Sequence, residues 1–470
     1  MFSVCYLMNN MQSLKPFLEP ESVAIIGLSR KTGENHYNAL ENLLSYGYKG
    51  RIYPINPNAT EILGVKAYPS IKNVEDAVDL AVIVTPRSQV PGHVRNCAEK
   101  GIKCISIVTQ GFTDAGDEEG KRLYKEIAEI ADSTSCRILG PNTFGSASVF
   151  TNFSSSFARL YMQRNPVGLI CQSGMLFNCV SEYRFVGKGI DVGNICNVDF
   201  SDCLEYFEND PQVNIIVLHI EGMTDARRFF NAARRITCKK PIIALKTARS
   251  QQAATAAQSH TGSLAGKNEI WEAAMKQAGI IGVDSLEELV DVTRALSMLP
   301  LMKRPDIAVA TFSGGTAIMA LDGLRNSKLK IGKLSESTRT KIRKMAPDWL
   351  AIGNPLDYWP MVMGSDNRPR LMRDVMEALL ADEGFGGIIF IQIVPTPEMG
   401  QEMGQLLTEL VTRYPHQPLI AAFTGPYNFE CAKELQAEGR VLAFPTPERA
   451  SRAFVRLYQY SEFRLSLSRD

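Results

Sequence analysis

Apolar and polar positions alternate in blocks along almost the whole chain. Short runs rich in Val, Ile and Leu are separated by longer stretches with helical spacing, such as 90–100 and 118–131. Continuous apolar runs between helices are typical of parallel strands that are covered by helices on both faces. The pattern predicts an α/β protein with strands at 23–27, 51–55, 80–85, 104–109, 137–140, 168–171, 191–194, 214–220, 241–246, 279–283, 307–312, 387–394, 418–423 and 441–444.

These strands fall into three groups. Boundaries are expected near 148 and near 303, where Pro305 precedes a fresh strand. A chain of 470 residues, 45% of them apolar, is long enough to form a core in each of three domains. The sequence therefore predicts three doubly wound domains, at 1–148, 149–302 and 303–470.

Composition limits the kinds of partner. The chain has 51 basic and 50 acidic residues without long charged blocks, which gives no footprint for nucleic acid or a membrane surface. No stretch approaches the roughly 20 apolar residues of a membrane span. The ten cysteines include no CxxC pair, and the five histidines have no metal-ligand spacing. We expect a cytoplasmic protein with reduced thiols, no metal site, and small molecules or proteins as partners.

The loops after the strands of the first domain are rich in turn residues and short polar side chains. Ligands bind at the carboxyl ends of strands in open parallel sheets, so these loops are candidates for a binding crevice. The first is small and basic and suits a diphosphate held by backbone N–H groups and cations: Gly27, Leu28, Ser29 and Arg30. The other candidates are Asn56, Pro57, Thr85, Pro86, Thr109, Gln110 and Asn142.

Two alternatives stay open for the first loop. It could be a purely structural turn between strand and helix. The Rossmann-like pattern could also belong to a nicotinamide-dependent oxidoreductase, although the loop is not a GxGxxG and lacks the acidic residue that holds a ribose. Retention on an NAD(H) resin but not on a CoA resin would favour the oxidoreductase.

The second domain contains a candidate anion site and a candidate carboxylate. A strand leads into an apolar helix through Gln172, Ser173, Gly174 and Met175, whose N–H groups would face an anion, unless Ser173 acts only as an N-cap. Glu221 follows another strand and could hold one nitrogen of a histidine, leaving the other nucleophilic. A solvated strand-end glutamate is the alternative. Lys246, after the next strand, is either a phosphate contact or a surface lysine.

His260 lies in the octapeptide 259–266, a small, hydroxyl-rich segment just before a helical pattern. A histidine that accepts a phosphoryl group needs one free ring nitrogen and nearby donors for the anion. The neighbouring Thr261 and Gly262 could supply these donors at the start of the helix. The alternative is a surface-loop histidine beside glycines that serve only the turn.

Taken together, these residues resemble the α subunit of the nucleoside-diphosphate-forming acyl-CoA synthetases, the group that contains ADP-forming acetyl-CoA synthetase and is related to succinyl-CoA synthetase. The match spans nearly the whole chain. It rests on the ordered motifs Tyr53-Pro-x-Asn-Pro57, Gly111-Phe112, Gly140-Pro-Asn142, Gln172-Ser-Gly174, Gly193-Asn194 with Asp199, Glu221-Gly222, Ser259-His-Thr-Gly262, Ser313-Gly-Gly315, Gly353-Asn-Pro-Leu-Asp357 and Pro445-Thr-Pro-Glu448.

The resemblance implies a Rossmann-like CoA-binding domain followed by two flavodoxin-like domains. It implies that a carboxylic acid, CoA and ATP are interconverted with acyl-CoA, ADP and phosphate through an acyl phosphate and phospho-His260. Glu221 would orient and stabilise His260, and the helix starts near Ser173 and Thr261 would bind phosphate. The loops of the first domain would hold CoA.

In the resembled family an ATP-grasp module binds the nucleotide, and the three predicted domains leave no room for one. The resemblance therefore implies an ATP-grasp β subunit that binds ATP or ADP with Mg²⁺, in a heterotetramer. Met175 to Phe177 are bulkier than is usual in the family, which could reshape the CoA or acyl pocket. A non-catalytic regulatory protein that binds CoA or acyl-CoA is the competing interpretation, and the presence of both His260 and Glu221 argues against it.

Overall fold

The structure is a computed structural model that describes residues 14–33, 38–182, 184–253, 255 and 268–467. The prediction of an α/β protein built on parallel sheets is confirmed. The strands are β1 (Ser22–Ile26), β2 (Arg51–Ile55), β3 (Glu61–Ile62), β4 (Val65–Lys66), β5 (Leu80–Ile83), β6 (Cys104–Ile107), β7 (Arg137–Leu139), β8 (Ser146–Ser148), β9 (Phe153–Ser154), β10 (Val167–Cys171), β11 (Lys188–Asp191), β12 (Ile215–Ile220), β13 (Ile242–Lys246), β14 (Ile281–Val283), β15 (Asp306–Thr311), β16 (Lys330–Ile331), β17 (Leu356–Asp357), β18 (Gly387–Ile393), β19 (Leu419–Thr424) and β20 (Leu442–Phe444).

Helices connect most of the strands. They lie at Ala39–Tyr46, Val90–Glu99, Glu118–Thr134, Gly174–Glu182, Phe200–Asn209, Ala226–Thr237, Asn268–Gln277, Leu286–Met298, Gly314–Gly323, Glu336–Arg343, Trp359–Met363, Arg368–Leu380, Pro397–Arg413, Asn428–Glu438 and Pro447–Leu467. None of these helices is both long and apolar enough to cross a bilayer.

The first sheet has the order β2-β1-β5-β6-β7, and all of its strands are parallel. Every residue of β1, β5 and β6 is buried, as expected for strands with helices on both faces. The order reverses between β1 and β5, which pair with Val23 opposite Leu80. This topological switch point is where an open α/β sheet forms its ligand crevice.

The second sheet has the order β14-β13-β12-β10-β11-β8-β9. Its first five strands are parallel, but β8 runs antiparallel to β11 and β9 antiparallel to β8, which the sequence pattern did not indicate. The strand predicted at 191–194 is wrong in its bounds. The strand is Lys188–Asp191, because the chain turns at Gly193, which has a φ of +52°.

The third sheet has the order β16-β15-β18-β19-β20, and β17 pairs with β15. The asparagine of its Gly353-Asn-Pro segment links two strands. Asn354 accepts from the Val309 N–H at 2.9 Å and donates to the carbonyls of Ile307 and Gly332, each at 2.8 Å. This motif therefore has a clear structural role in the sheet.

By its internal contacts the chain forms two compact units, Met1–Val290 and Asp291–Asp470. The first unit contains the first two sheets, and the second unit contains the third sheet. The three-domain division with boundaries near 148 and 303 stays a prediction.

Candidate active site

The loop after β1 depends on a glycine at the switch point. Gly27 has a φ of +88°, and its N–H donates to the Ile55 carbonyl at 3.0 Å. An ideally placed Cβ on Gly27 would lie 2.5 Å from Cγ2 of Thr85 and 3.2 Å from the Thr85 backbone nitrogen. Both the backbone conformation and the close approach of the next strand end therefore require glycine here.

Two asparagines hold this loop in shape. Asn56 donates from Nδ2 to the Leu28 carbonyl at 2.8 Å. Asn38 donates from Nδ2 to the carbonyls of Ser29 and Lys31, at 3.1 and 3.2 Å. The predicted binding residue Asn56 thus shapes the loop. The Leu28 side chain belongs to the core, since only 2% of this residue is exposed.

The other predicted residues of this crevice are mostly accessible. The exposed ones are Gly27, Ser29, Arg30, Pro57, Pro86 and Gln110. They follow β1, β2, β5 and β6, so the sheet brings them to one edge. Arg30 adds an exposed cation to this edge, which favours an anionic ligand.

Thr85 is a buried residue with an unsatisfied hydroxyl at the switch point. The residue is 7% exposed, and its Oγ1 has no hydrogen-bond partner among the described residues. Its carbonyl accepts from the Thr109 hydroxyl at 2.7 Å, which ties the ends of β5 and β6 together. Buried polar groups are normally paired, so an unpaired hydroxyl at this edge fits a polar ligand such as CoA.

Asp114 connects the first sheet to the second. Its carboxylate accepts from the backbone N–H groups of Gly111 and Phe112, both at 2.9 Å, and from Nδ2 of Asn194 at 2.8 Å. No sequence motif pointed to this residue. It fixes the loop after β6 against the loop after β11, so the carboxyl ends of the two sheets lie side by side.

Asn142 lies where these two edges meet. It has a φ of +58°, and its N–H donates to the Thr109 carbonyl at 3.0 Å. The N–H of Asn194 donates to the Pro141 carbonyl at 2.9 Å. A Cβ on Gly193 would lie 2.5 Å from that same carbonyl oxygen, so glycine allows this close approach.

A buried carboxyl at the end of β11 was also missed by the sequence analysis. Asp191 accepts from the N–H groups of Phe144 at 2.7 Å and of Gly193 at 3.3 Å. Burial raises the pKa of Asp191 to about 7, and the nearby Glu221 charge contributes to the rise, while the two N–H donors oppose it. The Asp before Val-Gly-Asn was the available signal, but its burial was not readable from the sequence.

The helix Gly174–Glu182 begins close to an aromatic pair. An added Cβ on Gly174 would overlap the ring of Phe144, which packs against Phe157 with ring centroids 4.7 Å apart. Ser173 precedes the helix, and its carbonyl accepts from the Phe177 N–H at 3.0 Å. The first N–H groups of any helix lack intrahelical acceptors, so this helix start is suited to an anion.

Met175, in the first turn of that helix, is 63% exposed. Its side chain and the half-buried Phe144 place apolar surface next to the candidate anion site. An acyl phosphate combines these two chemical characters, since its phosphate is anionic and its acyl chain is apolar.

Glu221 directly follows β12 and is held from both sides. Its N–H and that of Gly222 both donate to Oε1 of Gln172 at 2.9 Å. Its carbonyl accepts from Nζ of Lys246 at 2.8 Å, and the same ammonium donates to the Thr247 carbonyl. Lys246 is only 4% exposed, and burial lowers its pKa, which the Glu221 charge partly offsets.

His260, Thr261 and Gly262 lie outside the described residues. The chain that leads toward them from β13 is fixed to the end of β14. Arg249 donates from Nη2 to the Asp284 carbonyl at 3.0 Å, and its Nη1 donates to the Asp284 carboxylate. Among the described residues no group of three or more His, Cys, Asp or Glu side chains is placed to hold a metal ion.

Comparisons with known proteins cover both halves of the first unit. A CoA binding domain family matches residues 21–148, and a succinyl-CoA ligase like flavodoxin domain family matches residues 164–296. These matches support CoA as a substrate, because they place a CoA-binding domain on the first sheet.

Similar proteins extend the match along the chain. The ADP-forming acetate–CoA ligase II subunit alpha of Pyrococcus furiosus is 35% identical over 457 residues, which cover 95% of this chain and 97% of that protein. The ADP-forming acetate–CoA ligase of Methanocaldococcus jannaschii is 36% identical over 456 residues, which cover 95% of this chain but only 63% of that protein. The chain thus spans less than two thirds of this longer relative.

A solved structure agrees with these relatives. The dinucleotide forming acetyl-coenzyme A synthetase 1 of Ca. Korarchaeum cryptofilum, in complex with phosphate and ADP, superposes with a TM-score of 0.88 at 32% identity and covers 97% of this chain and 98% of that chain. The resemblance inferred from the motifs is confirmed. The chain belongs to the family of ADP-forming acyl-CoA ligases, which are acid–thiol ligases, and it corresponds to their α subunits.

Proposed function

We propose that this chain is the CoA-binding, phosphoryl-carrying subunit of an ADP-forming acyl-CoA ligase. The reaction interconverts a carboxylic acid, CoA and ATP with acyl-CoA, ADP and phosphate. The observation that carries the proposal is the similarity to an α subunit over 95% of this chain and 97% of that subunit. The three predicted domains would bind CoA (1–148), carry the phosphohistidine (149–302) and add a second flavodoxin-like module (303–470).

The acyl half of the reaction requires two transfers. A phosphate oxygen attacks the thioester carbonyl of acyl-CoA, the carbon–sulfur bond breaks, and CoA leaves as a thiol after taking a proton. An imidazole nitrogen of His260 then attacks the phosphorus of the acyl phosphate, the phosphorus–oxygen bond breaks, and the carboxylate leaves. The protein mainly positions these groups and stabilises developing charge.

We assign the phosphate-binding role to the helix start at Ser173, Gly174 and Met175, together with Thr261 and Gly262. The support from the fold is that Gly174 lies against the ring of Phe144, in the segment that follows β7 of the first sheet. Glu221 would hold one nitrogen of His260 and stabilise the positive charge that develops on the ring.

The nucleotide half of the reaction is assigned to a partner. An ATP-grasp β subunit would bind ATP or ADP with Mg²⁺, and two α and two β subunits would form a heterotetramer. The extra length of the Methanocaldococcus jannaschii relative is consistent with a further module on a longer chain. A gel-filtration mass equal to that of the single chain, in the presence of an active β subunit, would exclude this assembly.

The acyl half-reaction tests the carrier role without a partner. The purified chain is incubated with ³²P-phosphate and acetyl-CoA, butyryl-CoA or phenylacetyl-CoA, and the nucleotide half is tested with labelled ATP and a β subunit. We expect acid-labile, base-stable label on the wild type, none on His260→Ala, and labelling slowed by about 100-fold or more in Glu221→Gln.

The outcome separates the two functions considered from the sequence. Label that appears on the wild type and is lost in His260→Ala would establish the histidine relay and give the acid preference from the rates. If neither half-reaction labels the wild type while CoA binds, the chain is a non-catalytic CoA-binding protein.

A further inference from the structure

Glu221 is held by side chains from both strands that flank its own. In the second sheet β12 lies between β13 and β10. One side chain from the carboxyl end of each neighbouring strand contacts Glu221. Gln172, after β10, accepts from the Glu221 N–H, and Lys246, at the end of β13, donates to the Glu221 carbonyl. Both backbone groups of this one residue are therefore occupied by side chains.

Neither contact is a common way to hold sheet strands together. Gln172 is 5% exposed and receives two consecutive N–H groups on a single oxygen, so the turn at Glu221 and Gly222 is fixed at two points. Lys246 is a buried residue whose Nζ lies 5.8 Å from the centroid of the Trp271 ring. Burying an ammonium is costly, so an apolar residue would fill a purely structural position better.

We infer that Gln172 and Lys246 are positioning residues that fix the backbone of Glu221 and thereby aim its carboxylate at the phosphoryl-carrying histidine. This inference rests on the proposed function for its consequence and on the described contacts for its geometry. It differs from the sequence predictions, which placed Gln172 at the phosphate site and left Lys246 as either a phosphate contact or a surface lysine. A shift of about 1 Å in a reacting group can reduce a rate by about 100-fold, so such supports matter.

The test uses Gln172→Met and Lys246→Met in the full chain, with Lys246→Arg as the conservative variant. Lys240 offers a matched control, because its Nζ also donates to two backbone carbonyls, those of Phe207 and Asp210, at 2.7 and 2.8 Å. It precedes β13, whereas Lys246 ends that strand, so Lys240→Met removes the same kind of contact far from Glu221 along the strand.

Three readouts are needed: the rate of His260 labelling at saturating acyl-CoA and phosphate, the Kd for CoA, and hydrogen exchange at the amides of Glu221 and Gly222. We expect both Met variants to bind CoA like the wild type and to label about 100-fold more slowly. Lys246→Arg should recover most of the rate, Lys240→Met should keep it, and Gln172→Met should lose amide protection.

Three results would overturn the inference. One is a wild-type labelling rate in both Met variants. Another is a raised KM for phosphate with an unchanged rate at saturating phosphate, which would make these side chains phosphate contacts. The third is full protection of the Glu221 and Gly222 amides in Gln172→Met. This result would exclude a positioning role for Gln172 even if the wild type is never labelled and the proposed relay itself fails.

Discussion

Replacing Gly27 with alanine would place a methyl group where β1 and β5 end side by side. The new Cβ would lie 2.5 Å from Cγ2 of Thr85 and 3.2 Å from its backbone nitrogen, and real Cβ atoms do not approach other atoms as closely as the first of these distances. Rotation of the Thr85 side chain would relieve the first contact but not the second, because the second atom belongs to the backbone of a buried strand end. The loop or the strand end must shift.

The cost has two parts. Alanine at a φ of +88° costs roughly 1–2 kcal/mol of backbone strain, and overpacking a closely packed site costs about 1–3 kcal/mol more. Gly64 separates the two parts, because it has a φ of +78° in the turn between β3 and β4 and an added Cβ would meet no atom within 4 Å. Gly64→Ala should therefore carry the strain alone, and Gly27→Ala should carry both.

The assay must report on the first unit. Trp271 lies in that unit, while Trp349 and Trp359, the other two of the three tryptophans, lie in the second. Urea unfolding followed by fluorescence in a background with Trp349 and Trp359 replaced by Phe gives the free energy for the first unit. Calorimetry gives the affinity for CoA, where 1.4 kcal/mol corresponds to a factor of ten.

We expect Gly27→Ala to destabilise the first unit by about 1–3 kcal/mol more than Gly64→Ala does. We also expect it to weaken CoA binding at least about tenfold, whereas Gly64→Ala leaves the affinity unchanged. Equal stability losses in the two variants would refute the steric argument. A Gly27→Ala protein that is less stable but binds CoA with wild-type affinity would refute the assignment of the crevice at the switch point to CoA.

Three further predictions concern the second sheet. Folding raises the pKa of Asp191 to about 7, so its contribution to stability is present below about pH 4 and is lost as pH rises through about 7. In urea unfolding between pH 4 and 8, the wild type should lose about 4 kcal/mol of stability by this route, and Asp191→Asn should not. An unchanged pH profile in the variant would contradict the argument. Lys188→Met should cost about 3–5 kcal/mol in urea unfolding, because it leaves the buried Asp210 carboxylate and the half-buried Glu19 carboxylate without their ammonium partner. Lys239→Met removes an exposed ammonium and should cost at most about 1 kcal/mol, so similar losses in the two variants would contradict the role of burial. Gly174→Ala should cost about 1–3 kcal/mol by the same assay, because the added methyl overlaps the Phe144 ring, and no loss would show that this ring moves freely.

The strands and their parallel arrangement could be predicted because burial on both faces leaves a direct mark in the sequence. The runs that became β5, β6 and β12 are almost entirely Val, Ile, Leu, Ala and Ser or His, and each is fully buried. Strand limits were less predictable. Within the predicted strand at 191–194 only Val192 is apolar, and β11 ends at Asp191, just before the turn at Gly193.

The roles of polar strand-end residues could not be predicted with the same success. Asn56 and Gln172 are short polar residues after strands, which favours ligand contact, yet each uses its side chain on a backbone group far away in sequence. The carboxylates of Asp114 and Asp191 likewise accept hydrogen bonds from backbone N–H groups, and neither residue was a candidate from the sequence. Sequence alone gives the chemistry of such a side chain, but its partner depends on which strands are neighbours.

This dependence on strand order explains how the candidate site is assembled. Gln172, Glu221 and Lys246 belong to three separate chain segments, but β10, β12 and β13 are adjacent and parallel, so their carboxyl ends lie together. A residue placed after the central strand is then within reach of side chains from both neighbours, and its backbone can be fixed without any contact from its own segment. The chain toward His260 leaves this same sheet edge at the end of β13, where the Lys246 ammonium donates to the carbonyls of both Glu221 and Thr247. Under the proposed function, this sheet edge would supply the precision that phosphoryl transfer needs.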